Sequence, residues 1–306
     1  MNNLQTHINN YLEYCKHNKR LDEKTLKAYR IDLSQFRLLV EFNDISNITH
    51  HNLENILSKL HEKYKPRTAK RKIASIKAFF HHLEYNDVIE INPFNKMHIK
   101  FREPFILPKV IPLPLIEQLL KYVYQVHNSA TTTYRKEKTL QDVAIFELLF
   151  STGMRISELC LLKSTDVDLS NSTLLIFGKG AKERRIRICN NDVLMILTQY
   201  KTCYHKKILD SGYFFTNPYK SHISDQSVRR MIKKYTAMAG IDLHITPHMF
   251  RHTFATSLLE ADVDIRFIQE ILGHSSINIT EIYTHVTTAK QNDILRTKHP
   301  RKNFHI

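Results

Sequence analysis

The chain has 306 residues, 42% of them apolar, which is enough for two ordinary globular cores and excludes wholesale disorder. A formal net charge of +15 and a pI near 9.5 suit a polyanionic partner, nucleic acid ahead of an anionic membrane surface. No apolar run approaches the ~20 residues of a spanning helix, and the N-terminus has no secretory pattern, so membrane insertion is not expected.

Residues 1–99 read as a helical domain. Ile8, Leu12 and Cys15, then Leu26, Tyr29, Leu33, Phe36 and Leu39, recur at steps of three and four. A third helix is predicted over 51–64, with Leu53, Ile56, Leu57 and Leu60 inward. Pro66 then opens a fourth, with Ile73, Ile76, Phe79, Phe80 and Leu83 on its apolar side. The fourth helix is lopsided in charge: Lys65, Arg67, Lys70, Arg71, Lys72 and Lys77 face only Glu84. Such a run is either a solvated face or a helix lying against phosphates, and the basic balance of the chain favours DNA.

Five prolines between Pro93 and Pro114 predict an extended linker over 100–114. Both sides of it are basic, which suits a clamp closing around a duplex. Residues 115–306 then form a second, mixed domain. The polar stretch NSATTTYRKEK (128–138) reads as a mobile loop, and LQDVAIFELLF (140–150), apolar on nearly all sides, as a buried helix. The runs STLLIFG and RRIRIC around GKGAKE predict a β-hairpin at 172–189, followed by three or four helices. The fold class is therefore mostly α with a small antiparallel β-sheet.

The chemistry-bearing residues fall in this second part. Thr246 and Pro247 suit the N-cap and first position of a helix, placing His248 and Arg251 in its first turns, where free N–H groups favour a phosphate. Alone, such an H-x-x-R pair is more often structural. Gly153 permits a sharp turn before Arg155, which has Glu158 three residues on as an ion-pair partner. Lys179 sits between Gly178 and Gly180 in the hairpin turn, among further cations at Lys182, Arg184, Arg185 and Arg187 that point to nucleic acid. Gly273 reads as the C′ residue of a helix, with His274 in the bend beyond and Tyr283 nine residues later. No metal is expected. The i,i+4 pair His248 and His252 carries Met249 where a zinc protease needs Glu, and Cys15, Cys160, Cys189 and Cys203 lack metal spacing and read as reduced thiols.

TGMRISEL, GKGAKER, HMFRHTFAT, LGHSSI and IYTHV resemble, in order, spacing and flanking residues, the tyrosine recombinases of the phage-integrase family. KPRTAKRKIASIKAFFHHL is similar to that family's core-binding (SAM-like) domain, and the ending YTHV…HPR is most like the Xer-type members. The resemblance runs from about residue 3 to 301 and implies a catalytic domain over 115–306, with no arm-type module before it. It further implies that Tyr283 attacks the scissile phosphate to give a 3′-phosphotyrosine, while Arg155 and Arg251 hold its non-bridging oxygens. Lys179 would protonate the leaving 5′-oxygen, His248 and His274 would assist proton transfer and phosphate binding, and Glu158 would support them. Lys65, Arg67, Lys70, Arg71, Lys72, Lys77, Lys182 and Arg184 are the expected DNA contacts. No cofactor, metal or ATP is required for this chemistry.

The partners implied are double-stranded DNA at specific sites, a homo- or hetero-tetramer passing through a Holliday junction, and an accessory DNA translocase or bending protein. The setting implied is the bacterial cytoplasm, at the nucleoid. The biological roles that fit are chromosome dimer resolution, mobile-element integration or excision, and DNA inversion. The rival readings are a type IB topoisomerase, which nicks and reseals one duplex, and a non-catalytic DNA-binding protein on the same scaffold. The tail after Tyr283 predicts one more short helix to about Leu295, whose few apolar residues need a neighbouring surface.

Overall fold

Asn3, Asp22 and Thr49 start three helices by accepting backbone N–H bonds with their side chains, as short polar residues do at an N-cap: α1 (Leu4–His17), α2 (Glu23–Leu39) and α3 (His50–Lys63). The fourth, α4 (Pro66–Tyr85), opens on proline, whose missing N–H costs nothing in the first turn. These spans come from a computed structural model that describes residues 3–97, 108–178 and 183–273. The chain divides into two compact units, Met1–Phe105 and Ile106–Ile306, each with its own core.

In the first unit Leu4, Ile8, Tyr11, Leu33, Phe36, Phe79 and Phe80 are almost fully buried where α1, α2 and α4 meet. A polar knot runs through that packing. The carboxylate of Asp32 is sealed from solvent and accepts from Lys72 Nζ at 2.9 Å, from Ser75 Oγ at 2.9 Å and from the Arg71 guanidinium. Lys72 also donates to Gln35 and lies over the ring of Tyr64. This corrects the expected DNA-binding face. Lys72 is 3% exposed, because an unpaired Asp32 at that depth would be costly, and it is therefore not available to a phosphate. Arg67, Lys70 and Lys77 do lie exposed on α4 and Lys65 exposed at its N-cap, and Arg71 is half-exposed while holding Asp32.

The second unit begins earlier than its prolines predict. Residues 108–112 are in no helix or strand, but Pro112 is the N-cap of α5 (Leu113–Asn128) and Pro114 sits in its first turn, where a proline fits. The predicted mobile loop is also corrected. α5 runs to Asn128, and the Thr132 hydroxyl caps α6 (Thr133–Thr152), so residues 133–138 are its first, solvated turns. From Thr139 on, α6 is buried nearly all round by α5, α8 (Asn191–Cys203) and α11 (Pro247–Glu260). It is the axis on which the site is hung.

After α6 come α7 (Ile156–Cys160) and an antiparallel sheet of order β1-β2-β3: β1 (Val167–Asp168), β2 (Thr173–Phe177) and β3 (Glu183–Arg187). β2 and β3 pair as a hairpin with Leu174 opposite Ile186, both facing the core, as the period-two pattern requires. The remaining helices are α9 (His205–Ser211), α10 (Asp225–Met238) and α12 (Ile265–Leu272). With α8 and α11 that makes five helices after the hairpin among the described residues, against the three or four expected. Cys15 and Cys160 are buried and Cys189 and Cys203 exposed, and none of the four is in a disulfide.

Candidate active site

Gly153 ends α6 in the left-handed conformation, φ +58°. A side chain there would also collide, because a Cβ would stand 2.5 Å from Cδ1 of Phe254. That tight turn delivers Arg155 to the N-cap of α7. The Arg155 backbone N–H donates to Glu158 Oε2 at 2.8 Å and its Nη1 to Oε1 at 2.7 Å, while about a third of the side chain remains open to solvent. Glu158 is buried, and burial alone would raise its pKa. The donors on Arg184 and Arg155 outweigh that and hold it below the usual carboxylate range.

Arg251 lies one turn into α11 and is 4% exposed. Its Nη1 donates to the Gly153 carbonyl at 2.9 Å and its Nη2 to the Leu272 carbonyl at 2.7 Å. Both acceptors sit at helix C-termini that end on a left-handed glycine, Gly153 after α6 and Gly273 after α12. Helix ends leave carbonyls without partners, and a buried guanidinium satisfies two of them at once. The same bonds hold Arg251 beside the turn that carries Arg155. Thr246 and Pro247 start α11 as expected, although the Thr246 hydroxyl makes no capping bond.

His248 opens to the surface from the first turn of α11. Partial burial of its ring, then the charges of Arg229, Arg251 and Arg155, lower its pKa from the ordinary histidine range. At neutral pH the imidazole is thus uncharged and able to accept a proton. His252, one turn further on, is pushed down to about 4 by burial and by its neighbours His248 and Arg251. Three sequence-predicted residues, Arg155, His248 and Arg251, therefore share one electropositive locus with Glu158 beneath it. Sequence reasoning missed Arg229, an exposed residue of α10. Its signal was the run Arg229, Arg230, Lys233, Lys234 on one amphipathic helix.

Arg184 corrects a further expected DNA contact. Its side chain is 8% exposed and turned inward, with Nη1 and Nη2 on Glu158 at 3.1 and 2.7 Å and Nε on the Ile271 carbonyl at 2.9 Å. The carboxylate, not a phosphate, is its partner. Lys179, Lys182, His274 and Tyr283 lie outside the described residues, as do residues 98–107 and the tail after Tyr283.

Residues 116–290 match the Phage integrase family, and residues 8–86 match the Phage integrase, N-terminal SAM-like domain. A tyrosine recombinase of Agathobacter rectalis is 61% identical over 306 residues, all of both chains. The chain belongs to the phage integrase family of tyrosine recombinases. This recombinase is also 31% identical, over 99% of each chain, to tyrosine recombinase XerC of Oceanobacillus iheyensis. In fold it is similar to the XerH site-specific recombinase bound to palindromic difH substrate, with a TM-score of 0.72 at 21% identity over 94% of this chain and 83% of that one. The recombinase is an enzyme of DNA cleavage and strand exchange, and its α-rich fold with one small sheet is the expected one.

Proposed function

We propose that this site-specific recombinase cuts and rejoins DNA with Tyr283 as nucleophile and Arg155, Lys179, His248, Arg251 and His274 around the scissile phosphate. The observation that carries the reading is the convergence of Arg155 and Arg251 beside His248, with the nearby carboxylate of Glu158 already taken up by arginines. Two guanidiniums held in place before the substrate arrives stabilise charge building on phosphorus without reorganising.

In the step, the Tyr283 oxygen bonds to phosphorus and the bond from phosphorus to the 5′-oxygen breaks. His248, neutral at working pH, accepts the phenolic proton directly or by way of His274, and Lys179 gives a proton to the departing oxygen. The 3′-phosphotyrosine conserves the phosphodiester energy, so a 5′-hydroxyl from another strand reverses the step and completes exchange. We assign residues 1–99 to core binding of DNA, 100–112 to the linker and 113–306 to catalysis. Lys65, Arg67, Lys70, Lys77 and Lys182 remain the proposed phosphate contacts, and Arg71 the half-exposed one among them.

Two cleaved duplexes joined through a Holliday junction require four tyrosines, hence a tetramer on two sites. A bacterial chromosome or a mobile element in the cytoplasm supplies such sites. The test uses duplexes enriched from a random-sequence pool by the wild-type chain, then nicked near the centre so that cleavage becomes irreversible. Wild type is expected to accumulate a covalent protein–DNA adduct without metal or ATP. Tyr283→Phe is expected to bind the same duplexes and form none, because its ring remains while the nucleophilic oxygen is gone. An adduct with the Phe variant removes Tyr283 from its role.

A further inference from the structure

We infer that Arg184 is a positioning residue for cleavage: it neutralises Glu158 from the buried side, leaving the charge of Arg155 to face the phosphate. This rests on the reading above that Arg155 binds the scissile phosphate.

The Glu158 carboxylate is saturated from two directions. Oε1 accepts from Arg155 Nη1 at 2.7 Å and Arg184 Nη1 at 3.1 Å, and Oε2 accepts from the Arg155 backbone N–H at 2.8 Å and Arg184 Nη2 at 2.7 Å. The two arginines differ in exposure. Arg155 is about a third open, whereas Arg184 is 8% exposed and its Nε is bound to the Ile271 carbonyl at 2.9 Å. All three nitrogens of Arg184 face protein acceptors, so turning it outward to DNA would strip a buried carboxylate of its main donors.

The electrostatic consequence follows from counting charges. One arginine with Glu158 makes a neutral pair and leaves little field for an anion. Two arginines with one carboxylate leave a unit positive charge, and the exposed member presents it. Arg184 is also walled in. A Cβ on Gly273 would stand 3.1 Å from its Cδ and Nη1, so the left-handed glycine that ends α12 lies directly against this side chain. One residue of β3 thereby ties the hairpin to α7 and to the C-terminal end of α12.

The test compares wild type, Arg184→Met, Arg184→Lys, Glu158→Gln and the Glu158→Gln/Arg184→Met double variant on the nicked, pool-enriched duplexes. Melting temperature, DNA affinity across salt and the rate of adduct formation are measured. Arg184→Met is expected to bind within about threefold of wild type with an unchanged salt slope, and to form adduct about 100-fold more slowly, the scale of losing one transition-state contact. Arg184→Lys keeps the charge but not the fork and is expected to lose about tenfold. If the Met variant melts below the assay temperature, the Lys variant carries the test. The double variant is expected to be no slower than its slower parent, since both act on one arginine.

A scissile methylphosphonate, which lacks one negative charge, distinguishes positioning from general loosening: it is expected to shrink the Arg184→Met defect to about tenfold or less. A defect of equal size on both substrates overturns the inference, as does wild-type cleavage by the Met variant, or by the Lys variant where it carries the test. So does a salt slope reduced by about one phosphate contact. If wild type itself forms no adduct, the assignment of Tyr283 chemistry fails instead, and the two failures are told apart.

Discussion

Arg251 commits two of its donors to the carbonyls of Gly153 and Leu272, so its place depends on two helix ends 98 and 21 residues away. Such an anchor makes the arginine a fixed positive charge rather than a flexible one, which is what electrostatic stabilisation of a transition state needs. Lys179 has a different task under the proposed mechanism, since it supplies a proton. Lys179→Ala is expected to slow cleavage of an ordinary 5′-oxygen leaving group by about 100-fold, and of a 5′-thio leaving group far less, because a good leaving group needs no acid. Equal slowing on the two substrates would reduce Lys179 to a binding residue. His252 gives a pH signature. Its pKa is about 4 in the fold, so above the ordinary value of about 6.5 neither folded nor unfolded chain binds a proton there. Between those values the unfolded chain takes up a proton that the fold refuses, and stability falls as the pH drops through that window. Relative to His252→Asn, wild type is expected to lose about 1–2 kcal/mol between pH 7 and pH 5 by chemical denaturation.

Among the described residues, a left-handed glycine is the C-cap of α6, α9 and α12, for different reasons, and a pair of substitutions separates them. Gly212 (φ +74°), which ends α9, has open space where a Cβ would go, so Gly212→Ala carries backbone strain alone, about 1–2 kcal/mol. Gly153→Ala adds a collision with Phe254 and is expected to cost about 2–4 kcal/mol, measured by urea unfolding. It also displaces the carbonyl that holds Arg251, so cleavage should fall further than stability explains. Both glycines at the site, Gly153 and Gly273, were legible in the sequence as turn and C′ residues, because left-handed backbone has few other occupants. The helices of the first unit and the hairpin were legible from periodicity. The first turns of α6 were not: Thr133–Lys138 is polar because it is solvated, and polarity alone does not separate a solvated helix from a loop. Nor was the inward turn of Lys72 and Arg184. A charge run shows how many cations a segment has, while their direction depends on carboxylates at Asp32 and Glu158, 40 and 26 residues away.

At the scale of the molecule, the proposed assembly places a demand on the tail. Val286, Ala289, Ile294 and Leu295 are too few to form a core of their own. Removing residues 288–306 is expected to leave single-site affinity within about threefold while lowering two-site synapsis and recombination by at least about tenfold, since avidity is lost but each protomer keeps its own DNA contacts. Full-rate recombination by the truncated chain, read by gel shift and strand-exchange assay, would return control to the linker.

The way the chain enters the second unit bears on that linker. Ile111 is the first buried residue described there. Its N–H donates to the Thr253 hydroxyl at 2.7 Å, and that hydroxyl lies 3.4 Å from the Ile111 carbonyl it donates to. Thr253 is two residues beyond Arg251 on α11, one helix carrying both the stitch and the proposed phosphate grip. A displacement of Ile111 is therefore shared with the helix of His248 and Arg251 through those two bonds. The hydroxyl of one threonine works as a rein on the helix of the candidate site.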